Sequence, residues 1–326
     1  MILIFSTNND ITTQEVISWL LYNKSKPVII NEFNPIIDIN IEIDKSHTKV
    51  KFFLKSGEYV DTENVNIVWY RKGINFFELN FSKFEQNYIS IFLEHFKSEQ
   101  KVLISFLFSH LKDKTIGDYH LTENNKLDTL VCANSVGLNI PKTNICASKK
   151  FLKSQTPLIN KTISDIITTQ IKKAVFFNRT TEVNLEEIPD TFFPSLFQTA
   201  VNKQFELRVF YFDSDFYSMA IFAQQNEKTR VDFRDFTQQS LLMNVPYKLP
   251  VSLKTKLERL IILQGYTTCS IDLLVDENNN YIFLELNPVG QFGMVSFPCN
   301  YYIEMEISKK LLKYDKETYQ RTFTNI

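Results

Sequence analysis

Glu285 and Asn287 stand two residues apart in YIFLELN, residues 281–287, and the run then breaks into Pro288-Val289-Gly290. Side chains of a strand alternate faces, so Phe283, Glu285 and Asn287 are expected on one side and Ile282, Leu284 and Leu286 on the other. Residues 267–275 read as a second strand, and Asp276-Glu277-Asn278-Asn279-Asn280 between the two has the composition of a hairpin turn. Pairing the strands sets Asp272 roughly opposite Glu285, with Ile271, Leu273 and Val275 facing the core. Two carboxylates and an amide oxygen then share one patch. At an effective dielectric of about 20, two such charges about 4 Å apart repel by about 4 kcal/mol. A hard divalent cation removes that cost. Oxygen-only ligands from Asp, Glu and Asn suit magnesium, which keeps waters and takes further oxygens from nucleotide phosphates. An edge hairpin with a solvated acidic face has the same spacing, because charged residues are mostly exposed.

Candidate cations lie elsewhere in the chain. Lys161 sits within LINKTI, flanked by Leu158, Ile159 and Ile163, and a lysine in a buried strand pattern needs a partner. Lys126, in ENNKLDTL, falls on a helical pattern. In FELRV, residues 205–209, Glu206 and Arg208 share one strand face and Phe205, Leu207 and Val209 the other; a cross-strand ion pair would look the same. Arg234 closes VDFR, and arginine suits bidentate capture of carboxylate or phosphoryl oxygens, although a loop Asp–Arg pair is also open. Arg71 and Lys72 end the strand-like run that leads into WYRKG. His47, His95, His110 and His120 fit no metal or triad spacing.

These residues need a sizeable scaffold. The chain has 326 residues, enough for two or three subdomains, and its 29 Phe and 14 Tyr argue against disorder. A formal net charge of -1 provides no global field for nucleic acid. Cys132, Cys146, Cys269 and Cys299 form no CxxC pair, which argues against zinc and for a reduced, cytoplasmic setting. No secretory pattern opens the chain, and its longest apolar patch is too short to span a bilayer. Residues 1–31 alternate strand, helix, strand in a βαβ pattern. A hairpin is expected over 39–59, a strand at 65–70 and an aromatic helix over 81–111. Helices are expected again at 124–137, 253–264 and 301–314. Strands dominate from 195 onward.

Taken together, these residues resemble the ATP-grasp superfamily, whose last sheet carries a metal-binding Asp on one strand and Glu-x-Asn on the next. FLELNPVGQF, residues 283–292, resembles the FLE-x-N-P-x-GQ stretch of graspetide synthetases, macrocyclases that cross-link side chains of ribosomally made peptides. The aromatic, Asn-rich composition and the opening MILIFS resemble the grasp-with-spasm type of peptide maturase. The resemblance runs from about Met1 to Ser308.

It implies an α/β (α+β) ATP-grasp fold: an N-terminal βαβ-type domain at 1–118, a central subdomain at 119–194 and a C-terminal Mg-ATP subdomain at 195–326. Asp272, Glu285 and Asn287 would hold Mg2+. Lys126 and Lys161 would meet the phosphates of ATP. Gln198 and Val201, in SLFQTAV, would lie at the adenine hinge, and Glu206 at the ribose. Arg208 and Arg234 would serve the transferred group; Phe233 replaces the Trp of the D-W-R motif, keeping an aromatic wall without the indole N–H. WYRKG resembles V-W-x-R-R, with Lys72 departing from the second Arg. The implied activity is phosphorylation of Asp or Glu side chains in a precursor peptide of leader plus core, followed by ester or amide macrocyclisation. A homodimer is implied, with neither nucleic acid nor membrane as partner. Two other readings remain: an ATP-grasp ligase that joins an amino acid to a small molecule or protein tail, and a nucleotide-binding protein without catalysis. The intact Lys161, Arg208, Asp272, Glu285 and Asn287 argue against the last.

Overall fold

The computed structural model describes residues 1–78, 86–152, 157–164, 168–171, 174–177, 180–223 and 242–317. The βαβ opening forms as expected. Ile2–Phe5, the helix Ile11–Tyr22 and Val28–Ile30 build a right-sized crossover, and parallel pairing extends through Ile67–Tyr70 to Thr115–Ile116. Every residue of Ile2–Phe5 and Ile67–Tyr70 is buried, because both faces of this sheet are covered. Ile2, Ile4, Ile67 and Trp69 pack with Val16 and Leu20 of the first helix and with Ile303, Ile307 and Leu311 of the helix Ile303–Lys316. Leu3, Phe5, Val68 and Tyr70 meet a three-stranded antiparallel sheet (Ile36–Ile43, Thr48–Leu54, Tyr59–Asp61) and the helix Gln86–His110. Asp10 caps the first helix by accepting a hydrogen bond from the Thr13 backbone N–H at 3.3 Å.

A four-stranded antiparallel sheet follows, ordered Thr181–Glu182, Leu158–Lys161, Thr191–Thr199, Thr143–Ser148. The strand Thr191–Thr199 runs across position 194/195, where the sequence suggests a boundary. Next comes a five-stranded antiparallel sheet, ordered Leu242–Pro246, Asp215–Ala223, Lys203–Phe212, Thr268–Asp276, Tyr281–Asn287. Leu207, Val209, Ile271 and Leu273 turn one face of it to the helices Lys126–Ser135 and Val251–Leu263, where Leu130, Ala133, Leu257 and Ile261 complete the core.

Strict alternation fails in Tyr281–Asn287. Asp272 pairs with Glu285, but Leu273 pairs with Phe283, so Leu284 is an extra residue, a β-bulge. The bulge reverses parity, and Phe283 and Leu286 both enter the core at 0% and 1% exposure. Phe283 therefore does not share the face of Glu285 and Asn287. Those two side chains keep the face of Asp272 and Ser270, their register partners.

Candidate active site

The face of the five-stranded sheet turned away from the two helices carries a row of charge. Arg208, Asp272 and Glu285 are register partners on three neighbouring strands. Arg208 donates from Nε to Asp272 Oδ1 at 2.9 Å and from Nη2 to Asp272 Oδ2 at 3.1 Å, a two-pronged contact between side chains that are 14% and 20% exposed. Its third nitrogen, Nη1, lies 3.1 Å from the Met294 sulfur. Glu206, two residues before Arg208, is ion-paired to Lys203. Asn287 Nδ2 reaches Glu285 Oε1 at 3.4 Å, which turns the Asn287 carbonyl oxygen away from that carboxylate.

The segment that bears Glu285 and Asn287 is held from both sides. Asn124 Nδ2 donates to the Leu286 carbonyl at 2.6 Å, and the Thr129 hydroxyl steadies Asn124 Oδ1 at 2.5 Å. Sequence reasoning missed Asn124; its only signal was a place in the Asn-rich run before a helix, which reads as turn material. Beyond Asn287, Gly290 comes so close to Ser270 that a Cβ there would lie 1.8 Å from Ser270 Oγ and 2.6 Å from its backbone N. Phe292 then enters the core against Phe210, centroids 5.1 Å apart.

The four-stranded sheet carries Lys161 and Gln198. Lys161 pairs with Leu196 and Ile159 with Gln198, so Lys161 and Gln198 share one face while Asn160 and Phe197 take the other. Gln198 is 2% exposed. Its Nε2 donates to Thr143 Oγ1 at 3.0 Å, and that hydroxyl donates onward to the Pro141 carbonyl at 2.9 Å, which fixes the amide orientation. Gln198 Oε1 is left buried without a donor. An unmet buried acceptor costs about 1–3 kcal/mol, and an exocyclic amine of a nucleobase would relieve it. Val201 follows this strand, half-buried. Lys126, the first residue of its helix, donates to the Ser164 carbonyl at 2.9 Å, which ties that helix to the chain just past Lys161. Arg234 lies outside the described residues, as does Asp232.

Among the described residues no group of three or more His, Cys, Asp and Glu side chains could hold a metal. Asp272 and Glu285 instead pair across neighbouring strands with the Asn287 amide two residues on, a donor set that would leave coordination positions to waters and phosphate oxygens. That set fits magnesium and does not fit zinc. The histidines lie elsewhere: His110 bonds Thr62 at 3.1 Å, His120 bonds Ser109 at 3.3 Å and His47 sits beside Asp44. All four cysteines are free thiols. No helix among the described residues is long and apolar enough to cross a membrane.

No family model matches the chain, and no curated protein does. Solved structures match over almost its whole length. A Chryseobacterium gregarium RiPP-associated ATP-grasp ligase, solved with ADP and a leader and core peptide, is 19% identical with a TM-score of 0.76, covering 98% of each chain. The macrocyclase MdnC of Microcystis aeruginosa MRC, bound with precursor peptide MdnA, is 20% identical with a TM-score of 0.73, covering 96% of this chain and 99% of its own. The ATP-grasp ligase PsnB, complexed with a phosphomimetic variant of minimal precursor, Mg and ADP, is 15% identical with a TM-score of 0.70, covering 96% and 98%. From its first strand to its last helix, this chain has the ATP-grasp ligase fold.

Proposed function

We propose that this protein is an ATP-dependent ligase that closes side-chain macrocycles in a ribosomally made precursor peptide, with Mg2+ held by Asp272, Glu285 and Asn287. The observation that carries the reading is the row Arg208–Asp272–Glu285 on the open face of the last sheet, within a whole-chain likeness to ligases solved with precursor peptides. Magnesium, when bound, would draw charge from the phosphates and the departing ADP.

The chain's own residues do the rest. Gln198 and the backbone near Val201 receive the adenine, and Glu206 faces the ribose. Lys161 and Lys126 meet the phosphates. Arg208, with Arg234 as its expected partner, holds the peptide carboxylate in line with the γ-phosphorus. A carboxylate oxygen of Asp or Glu forms a bond to that phosphorus as the bond to the ADP oxygen breaks, giving an acyl phosphate. A Ser or Thr hydroxyl, or a Lys amine, of the same peptide then attacks the acyl carbon. Phosphate leaves, the nucleophile's proton is lost, and an ester or amide remains. ATP supplies the driving force, so no nucleophilic triad is required.

Residues 1–118, 119–194 and 195–326 serve in this reading as N-terminal, central and Mg-ATP units of a cytoplasmic homodimer. The deciding experiment incubates the enzyme with Mg-ATP and a short candidate precursor rich in Thr and in Glu or Asp. Loss of one water per linkage in the peptide mass is expected. ATP turnover with free amino acids and none with the peptide would instead favour a small-molecule ligase.

A further inference from the structure

Asp10 and Arg71 flank the crevice of the parallel sheet at which strand order reverses: Asp10 follows Ile2–Phe5, and Arg71 follows Ile67–Tyr70. The Arg71 side chain is 6% exposed, with Nε 3.3 Å from Asp10 Oδ2. Lys72 Nζ shares that oxygen at 3.0 Å. Asp10 Oδ1 is itself tied to the Thr12 hydroxyl at 2.5 Å and to the start of the first helix. Burial is the largest influence on Asp10 and opposes its charge, but Arg71, Thr12 and Lys72 together outweigh it and hold the carboxyl below its ordinary value. Arg71 Nε makes no hydrogen bond of good geometry, so the guanidinium is oriented by charge and by what it lies against.

It lies against Phe292: the guanidinium carbon is 5.3 Å from the ring centroid. Arg71 also lines a small cavity with Pro288 and Val289. The loop that leaves Asn287 is thus held at two points, by Ser270 at Gly290 and by Arg71 and Phe210 at Phe292. Burying a guanidinium is costly, and an apolar side chain would fill the same space more cheaply. Packing alone does not call for a charge here. A cation held by the charge of Asp10 and set over the ring does fix the position from which the loop departs.

We infer that Arg71 is a positioning residue: clamped by Asp10, it fixes residues 288–292 through Phe292 and so aims the Asn287 amide beside Glu285 and Asp272. The inference rests on the magnesium site proposed above. Its test is calorimetric titration of the full chain with ADP, with and without Mg2+. In Arg71→Met the gain in ADP affinity that Mg2+ confers should fall about tenfold or more, as for other groups that orient ligands, while metal-free affinity stays within about twofold. Arg71→Lys should recover part of the gain, since it keeps a cation over the ring. Phe292→Leu should reproduce the loss, and adding Arg71→Met to it should lower the gain no further. A folded Arg71→Met with the wild-type gain overturns the inference, as does an equal loss with and without metal. Should Arg71→Met fail to fold, an intact gain in Phe292→Leu overturns it. A wild type with no gain from Mg2+ overturns the proposed site together with the inference.

Discussion

Arg208 and Asp272, 64 residues apart in the chain, face each other across hydrogen-bonded strands with both carboxylate oxygens engaged by one guanidinium. A carboxylate offers about four lone-pair positions, so this fork leaves room for a cation on the same group. Arg208 thereby orients the metal ligand proposed here.

Arg208→Lys keeps the charge and loses the fork. Turnover should fall by about 10²-fold or more, comparable to removing a donor from a transition-state clamp. Loss of the charged hydrogen bonds should cost about 1–3 kcal/mol in urea unfolding. Activity near wild type would rule out a bidentate role.

Glu285→Gln preserves shape and removes one negative charge beside Asp272. The variant should fold, with a melting temperature within a few degrees of wild type, and show no Mg2+-dependent ATP turnover. Retained turnover would remove Glu285 from the metal set.

Gly290→Ala places a methyl group 1.8 Å from Ser270 Oγ and 2.6 Å from the Ser270 backbone N. Overpacking of this kind costs about 1–3 kcal/mol, and Mg2+-dependent turnover should fall with it because the loop carries Asn287. Ser270→Ala removes a buried hydroxyl that has no hydrogen-bond partner, and should itself be close to neutral. It should not rescue Gly290→Ala, since the backbone clash stays; a full rescue in the double variant would contradict this geometry.

Gln198→Leu removes the buried acceptor and the Thr143 contact while keeping the volume. ADP should bind about tenfold or more weakly, and the preference for ADP over GDP should shrink, because an amine donor on the base loses its acceptor. Unchanged base selectivity, measured by competition, would move the adenine pocket elsewhere.

Asp10 ties stability to acid. Its carboxyl is held below its ordinary value of 3.8, so its contribution is complete above that value and is lost as pH falls through the lower folded-state pKa. Thermal unfolding should show wild type losing stability over that window, and Asp10→Asn, weaker at neutral pH, losing less there. Parallel curves for the two would exclude this linkage.

Much of this architecture was legible along the chain. Apolar strand runs, the 3.6-residue spacing of Ile11–Tyr22 and Ile303–Lys316 and the DENNN turn are local signals, and the elements lie close to where those signals put them. A close approach of Asp272 to Glu285 was legible for the same reason, to within one residue: the register set by the turn runs through Leu273–Phe283 toward Leu284, and the bulge moves the partner of Asp272 to Glu285. The bulge at Leu284 was not, because it answers to the neighbouring strand and the helices beneath it, where Phe283 and Leu286 are both buried.

By itself the sequence determined which side chains were available and how each sat on its own strand or helix: Glu206 with Arg208, Glu285 with Asn287, Lys161 among apolar neighbours. Only the tertiary structure decided which of them meet. The fork of Arg208 on Asp272, the grip of Asn124 on the Leu286 carbonyl, the shared face of Lys161 and Gln198 and the placement of Arg71 over the Phe292 ring all join distant segments. Such contacts depend on sheet order and helix docking, which arise from burying apolar surface over the whole chain and leave no periodic trace near the residues they bring together.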